Sequence, residues 1–574
     1  MHKFLNKFTQ YCSYIVYCFF GIIVSYLFLL SIFSTSYISP SSHQNMEFVY
    51  YVPDNALLHL GIILIFSAIC ISCIHFLSHT KIFDTVIIHM ANYAPVFVMI
   101  TGMWWIICTK NTPFPFADQA HILHIASQMY NGDFSAFFPG QYMNTYPNQN
   151  GIVLLIYMLI PFTGGFNYMF FQFINVLSLA LIVFTVQRIA YALTDSRKLA
   201  AISCISTVLF IPLFLYITFV YGTLIGLSLT FLSFCLLLEH IKQNNAYKLA
   251  GAVVAIILSV FVKSNYLIAL IAFILILFVD VIRRSHRSSF IALLLIIPLY
   301  LTASFFLTTT LEKITGCEPS DGLPASSFIA LGLDERENNP PGWYTDKFVS
   351  IYTESNGNYD AADSYSKEFI NNRIKYFFDN PDYMLHFFAR KTAAQWNIPT
   401  FQSFWLYRRN ALVSNEFINH TDITDRILGI SGHTALYRTL LTVFNIVQTL
   451  LLFGALMYIV YIFAKPSGNI DHTQLLIPLF FVGGFIFHLF WEAKAQYALP
   501  YFTTLIPLAV IGFKKFIYEV YSIIVHKGKL LSPATISFVI ILIIVLLIYV
   551  LPLSINDELF KIIENAEIYY SSEF

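Results

Sequence analysis

One stretch of this chain is densest in groups that could act on a substrate: Asp118-Gln-Ala-His121-Ile-Leu-His124. Asp118 follows a hydrophobic run and two prolines (Pro113, Pro115). It opens a helical pattern of apolar residues at Ile122, Ile125, Ala126 and Met129. A carboxylate held at a membrane surface can take the proton of an attacking hydroxyl. Asp ahead of an apolar run is also a favoured helix N-cap, so both readings stand on the sequence. His121 and His124 lie one turn apart and could join Asp118 around a transition metal. They suit an ordinary interfacial pair as well. The residues therefore fix no cofactor and leave a divalent metal open. Asp133, in Asn131-Gly-Asp133, reads as a turn residue, with a second candidate base as its alternative.

Three further constellations could serve the same chemistry. Tyr146-Pro147-Asn148-Gln149-Asn150-Gly151 is dense in groups that hydrogen-bond a sugar, and it also suits a plain polar turn. Lys263-Ser264-Asn265 interrupts an apolar stretch. A lysine there is a functional candidate with phosphate as its natural partner, or a snorkelling side chain at a helix end. The third is His488-Leu-Phe-Trp-Glu492-Ala-Lys494-Ala-Gln496-Tyr497. If this run is helical, Glu492 and Gln496 share a face. An aromatic belt explains Trp491 and Tyr497 but not a glutamate between two spans.

The elements that must hold these groups are membrane helices. The 574 residues are 57% hydrophobic and only 11% charged, against about 25% charged in soluble domains. A zero formal net charge offers nothing for nucleic acid. A span needs about 20 apolar residues. Candidates lie at roughly 11–34, 56–77, 86–109, 167–190, 199–217, 221–240, 249–263, 265–282, 290–310, 438–463, 473–490, 498–518 and 533–553. The expectation is an all-α polytopic bundle of about 13 spans. The first run is longer than a signal-peptide core and lacks a small-residue cleavage site, so it reads as a span. Of the eight cysteines only Cys317 falls in a polar loop, and Cys70-Ile-Ser-Cys73 sits in an apolar run as a pair of small buried residues.

Basic residues set the orientation. With the N-terminus inside, Lys81, Arg188, Arg197, Lys198, Lys242, Lys248, Arg283, Arg284, Arg287, Lys514 and Lys515 all fall inside. Asp118 is then outside and Arg197 inside, so an odd number of crossings separates them. The apolar run 151–162 is too short to cross and reads as an interfacial or re-entrant helix of an outer loop, 110–166. Three parts follow: 1–310 with that catalytic loop, an extracytoplasmic subdomain 311–437, and C-terminal spans in 438–574. The middle part holds half of the 32 acidic residues. It becomes helical from Ser364 to about Trp396, with a break at Asn380-Pro381. Its second helix, carrying Arg390 and Lys391 beside Phe387 and Phe388, reads as lying on the membrane surface.

On Asp118, Tyr146-Pro147 and Glu492-Ala-Lys-Ala-Gln496-Tyr497, the chain resembles the GT-C superfamily of integral-membrane glycosyltransferases. That group includes protein O-mannosyltransferases and aminoarabinose transferases. Its members keep an Asp in the first large outer loop, a Tyr-Pro element after it, and often a late Glu-x-x-x-Arg-Tyr. Ala330-Leu-Gly-Leu, Gly342-Trp-Tyr344 and Arg390-Lys391 with Trp396 are similar to a loop of Gram-positive cell-envelope members. Gln496 stands where the family often has Arg, a phosphate-gripping place that Lys494 could take. Extra spans also precede the Asp loop.

The resemblance implies an inverting transfer of sugar from a polyprenyl-phosphate donor at the outer face of the cytoplasmic membrane. The acceptor would be a glycan, a teichoic-type polymer or a protein. Asp118 would be the base. Tyr146, Asn148, Lys263, Arg390, Lys391, Glu492, Lys494, Gln496 and Tyr497 would bind substrate. Short inner loops leave a nucleotide-sugar site nowhere to sit. Two alternatives stay open. A lipid-linked oligosaccharide polymerase or ligase would lean on loop arginines more than on Asp118. A lipid-glycan transporter or flippase should show charged spans and matched half-repeats.

Overall fold

The computed structural model describes residues 2–39, 48–77, 81–109, 118–336, 339–404, 427, 435–464, 471–526 and 533–550. Phe114 to Ala117, just ahead of Asp118, and 405–426 of the outer segment lie outside the described residues. The chain begins with α1 (His2–Phe33), a hairpin of β1 (Ser34–Ser39) and β2 (Phe48–Pro53), α2 (Ala56–Leu77) and α3 (Lys81–Thr109). The loop after α3 carries α4 (Asp118–Tyr130), the single turn α5 (Tyr142–Thr145) and α6 (Asn150–Leu159). A membrane group follows: α7 (Tyr168–Thr194), α8 (Arg197–Val208), α9 (Ile211–Leu215), α10 (Thr223–Gln243), α11 (Ala246–Val262), α12 (Leu267–Arg284) and α13 (Arg287–Thr315). The segment between α13 and the next long helix contributes α14 (Ala325–Leu333), α15 (Lys347–Glu354), α16 (Tyr359–Asp379) and α17 (Pro381–Trp396). The chain returns through α18 (Ala435–Ala464), α19 (Leu476–Phe490), α20 (Leu499–His526) and α21 (Pro533–Val550).

Ten described helices are long and apolar enough to cross a membrane, so the protein is an all-α multi-pass membrane protein. The other three expected spans are shorter or bent elements. α8 and the segment after it bend by 54°, where Leu209 and Phe210 interrupt the helix ahead of Pro212. α11 ends at Lys263 after 17 residues. α21 is helical over the 18 residues Pro533–Val550, most of the expected 533–553. α6 is ten residues long and gives way to a 3-10 turn at Ile160–Thr163. At 1.5 Å per residue it reaches only about 15 Å, half a hydrocarbon core. It buries Ile152, Val153 and Ile156 in the main apolar cluster.

At the end of the bundle that carries α4, one element adds to the expectation and one departs from it. β1 and β2 pair antiparallel, from Ser34 with Pro53 through Ser39 with Phe48. The anchor of this hairpin is Asn397, whose Nδ2 donates to Ser34 O at 2.7 Å and whose carbonyl accepts from Ser36 N at 3.1 Å. α17 is not a surface helix. Its last turns, Lys391 to Trp396, are buried, and Trp396 packs among Phe481, Phe485, Tyr501 and Phe502. The proline break falls where the sequence placed it, with α16 ending at Asp379 and α17 starting at Pro381.

Helix direction sorts the charges to the two ends of the bundle. Tyr168, Tyr221, Lys263 and Trp491 lie at the end carrying α4. The pairs Arg188–Glu239, Lys248–Glu239, Lys198–Asp84, Lys242–Asp195 and Arg284–Asp471 lie at the other. These are the basic residues that the sequence reading grouped on one side.

Candidate active site

Asp118 is the first residue of α4, and that helix is pinned by its neighbour. Gln119 is buried, and its Oε1 accepts from Tyr168 Oη at 3.1 Å and from Val220 N at 3.0 Å. The start of α4 is thereby fixed both to α7 and to the break before α10. The Asp118 carboxylate lines a cavity of about 1140 Å³.

Tyr146, Asn148, Lys263, Glu492, Lys494 and Tyr497 line the same cavity. Four stretches far apart in sequence thus meet at one place. The Tyr146 turn is set by its contacts on both sides. Asn148 Nδ2 lies 3.5 Å from Ser264 Oγ, and Gln149 Nε2 donates to Tyr221 Oη at 2.7 Å. Gly151 allows α6 to begin directly against α11, because a Cβ there would fall 2.0 Å from Phe261 O. Leu323 N donates to Thr145 O at 2.9 Å, which brings the segment after α13 onto the turn. Gly322 holds φ at +72°, and a Cβ there would meet the Pro147 ring at 2.4 Å.

Lys263 is buried, with its Nζ 3.3 Å from the centre of the Tyr221 ring. Burial draws its pKa down, and the carboxylates of Asp118 and Glu492 oppose that. One cation therefore faces both candidate acids. His121 stacks on Tyr142 at 4.7 Å, and Tyr142 packs against Tyr146 at 5.1 Å. Tyr344 lines the cavity together with Tyr146. Burial, followed by neighbouring tyrosine and carboxylate groups, raises the pKa of Tyr146. Burial and then Asp118 raise that of Tyr142. These phenols keep their protons at neutral pH and remain donors beside two acids.

The 491–494 segment is not helical. α19 ends at Phe490, and a 3-10 turn resumes only at Ala495. Glu492 and Gln496 therefore share no helical face. Glu492 faces the cavity, whereas buried Gln496 is absent from its lining, and its backbone N donates to Gln402 Oε1 at 3.0 Å. Lys391 and Arg390 also lie off the cavity lining. Lys391 is buried and its Nζ donates to the carbonyls of Gly332, Leu489 and Trp491, at 2.5, 3.0 and 2.9 Å. Its three N–H donors match three carbonyls, so it clamps the end of α19 to the end of α14. Arg390 Nη1 pairs with Glu335 Oε1 at 2.6 Å. Ala493 N donates to Gly342 O at 2.8 Å. The Gly-Leu, Gly-Trp-Tyr and Arg-Lys motifs thus converge on the turn that presents Glu492, most of them as framework.

Sequence reasoning missed several lining residues. Arg336 lines the cavity and pairs with Asp346 at 2.8 Å. Tyr142 and Tyr221 line it too, and neither lies in a pattern that sets it apart from belt aromatics. The floor is apolar: Leu267, Ile268 and Ile271 of α12, with Phe487. Trp491 stacks between Phe328 at 5.0 Å and Phe487 at 4.9 Å. Asp133 is a turn residue, accepting from Ser135 N at 3.0 Å and from Gln128 Nε2 at 2.9 Å. Among the described residues the group able to hold a metal is not Asp118 with His121 and His124. It is His240, Asp280 and His286, at the opposite end of the bundle.

No protein-family model, curated protein or solved structure matches this chain.

Proposed function

We propose that this protein is a glycosyltransferase of the GT-C kind. In this reading it moves a sugar from a polyprenyl-phosphate donor to a cell-envelope acceptor at the outer face of the cytoplasmic membrane. The observation that carries the reading is one cavity joining Asp118, Glu492 and Lys263 with an apolar floor from a membrane helix. Asp118 takes the proton of the acceptor hydroxyl. The acceptor oxygen bonds to the anomeric carbon from the face opposite the leaving group, and the carbon–oxygen bond to phosphate breaks. The lipid phosphate leaves with the electron pair, and Lys263 stabilises its charge. The tyrosines, with Asn148, donate to and accept from sugar hydroxyls. Leu267 and Ile271 are each about half exposed on the outside of α12, so an isoprenoid chain can lie along them while its phosphate reaches Lys263.

Lys494 and Arg336 extend the basic wall, so the donor contact does not need an arginine at 496. The reading requires no metal in the cavity. Purified protein in detergent, given a polyprenyl-phosphate sugar and a hydroxyl acceptor, is expected to release polyprenyl phosphate and to ignore nucleotide sugars. Turnover of a nucleotide sugar alone sinks the assignment.

A further inference from the structure

The other end of the bundle carries a second convergence of chemistry. α10 leaves the cavity beside Tyr221 and α12 leaves it beside Lys263. Each runs about 30 Å before it ends. There His240 of α10, Asp280 of α12 and His286 ahead of α13 each place one ligand atom within 4.8 Å of the others. His240 and Asp280 are fully buried. His472 approaches from the start of the α19 segment, its Nε2 3.4 Å from Asp280 Oδ1.

The inner hydrogen bonds of this cluster turn on one atom, His240 Nε2. His240 Nδ1 lies 2.9 Å from Asn245 O, which can only accept, so Nδ1 carries a proton. In the neutral ring Nε2 is then a bare lone pair, pointing inward at Ser289 Oγ 3.0 Å away. Ser289 has one hydrogen, and it goes to Asp280 Oδ2 at 2.6 Å. His286 Nδ1 reaches the same carboxylate oxygen at 3.0 Å. With its ring neutral, His240 thus turns a lone pair inward, out of water, beside the Asp280 carboxylate, which His472 Nε2 also approaches at 3.4 Å. A backbone carbonyl behind one ring and a hydroxyl on the carboxylate are the outer partners that orient metal ligands. Two imidazoles and one carboxylate suit zinc, whereas magnesium and calcium want oxygen ligands. The nearby Arg284 is engaged elsewhere, donating to Ile241 O at 2.6 Å and lying 3.9 Å from Asp471.

We infer that His240, Asp280 and His286 bind one zinc-class divalent ion. The ion ties together the ends of α10, α12 and α13 remote from the cavity. This site is independent of the glycosyltransferase reading. Its role is structural: it secures the far end of α12, the helix that begins just after Lys263 at Leu267.

The test uses the full chain in detergent. After dialysis against a weak chelator, wild-type protein is expected to retain a single zinc per chain by elemental analysis. Cobalt exchanged into the site should give visible bands of a tetrahedral centre. His286→Gln, at the least buried ligand, should lose both signals. Ser289→Ala should keep the site but bind zinc about 10–100-fold more weakly. A strong chelator should lower the unfolding midpoint of the wild type and leave that of His286→Gln unchanged. Wild-type protein with neither zinc nor cobalt bands overturns the proposal, since a self-contained proton network would look like that. Metal retained by a His240→Gln/His286→Gln double variant overturns it too. If the variants fail to fold, the wild-type cobalt spectrum still decides.

Discussion

A carboxylate at the start of a helix can be a cap or a base, and Asp118 separates the two through its surroundings. It lines a cavity, and Gln119 rather than Asp118 fixes the helix start. Asp118→Asn keeps the size and most of the polarity, so the protein should fold with unchanged stability. Asn cannot take the acceptor's proton, and turnover should fall by about 10²–10⁴-fold. Asp133→Asn, at an exposed turn, should leave turnover unchanged. Retention of more than about a tenth of wild-type turnover in Asp118→Asn would show that another group is the base. Lys263 and Lys391 are both buried lysines, but they differ in what surrounds the ammonium. Lys263 faces the cavity, so Lys263→Ala should raise the donor KM, measured at saturating acceptor, by weakening the hold on phosphate. Lys391→Met leaves three buried carbonyls without donors, each costing about 1–3 kcal/mol. It should lower the thermal midpoint sharply and leave the donor KM of the surviving folded protein near wild type.

At the scale of elements, the site depends on a stack of short pieces held by contacts from distant chain. The Tyr146 turn sits between α11 on one side, through Gly151 against Phe261, and the segment after α13 on the other, through Gly322 against Pro147. Gly322→Val combines a strained φ with a ring contact that cannot relax locally. The expected result is a loss of about 1–3 kcal/mol from strain and overpacking together. The effect should concentrate at Tyr146, seen as faster proteolysis between 140 and 150 and a raised acceptor KM. Proteolysis and KM both at wild-type values would mean that the segment after α13 does not organise the turn. Gln119→Leu probes the other anchor. It should lower kcat by misplacing Asp118 while leaving the donor KM unchanged.

At the scale of the whole molecule, the fold separates an end with a cavity from an end with ion pairs. The basic residues predict which end faces the cytoplasm, and a labelling experiment tests it. Single cysteines at Thr163 and Ser196, in a cysteine-free background, should react with an impermeant thiol reagent from opposite faces of oriented vesicles. Labelling of both from one face would mean that α6 takes part in a crossing. That is the outcome its ten residues argue against.

Apolar content and the spacing of apolar runs fix the membrane class, because no other solvent accepts such helices. A ten-residue helix too short to span, and a helix break ahead of a proline, are likewise decided by length and by a missing N–H. Asp118, Tyr146, Lys263 and Glu492 were legible for a simpler reason: each is a polar group in a place where an apolar chain gains nothing from it. What the sequence could not decide is direction. Glu492 and Gln496 are four apart, but α19 stops at Phe490 and turns them to different sides. Arg390 and Lys391 look like phosphate binders until Glu335 and three backbone carbonyls take their charges. Asp280 and His286 lie six apart, yet the His240 that completes their cluster comes from another helix. Whether a side chain meets substrate, a partner or the backbone depends on how distant helices pack. Only the tertiary structure sets that packing.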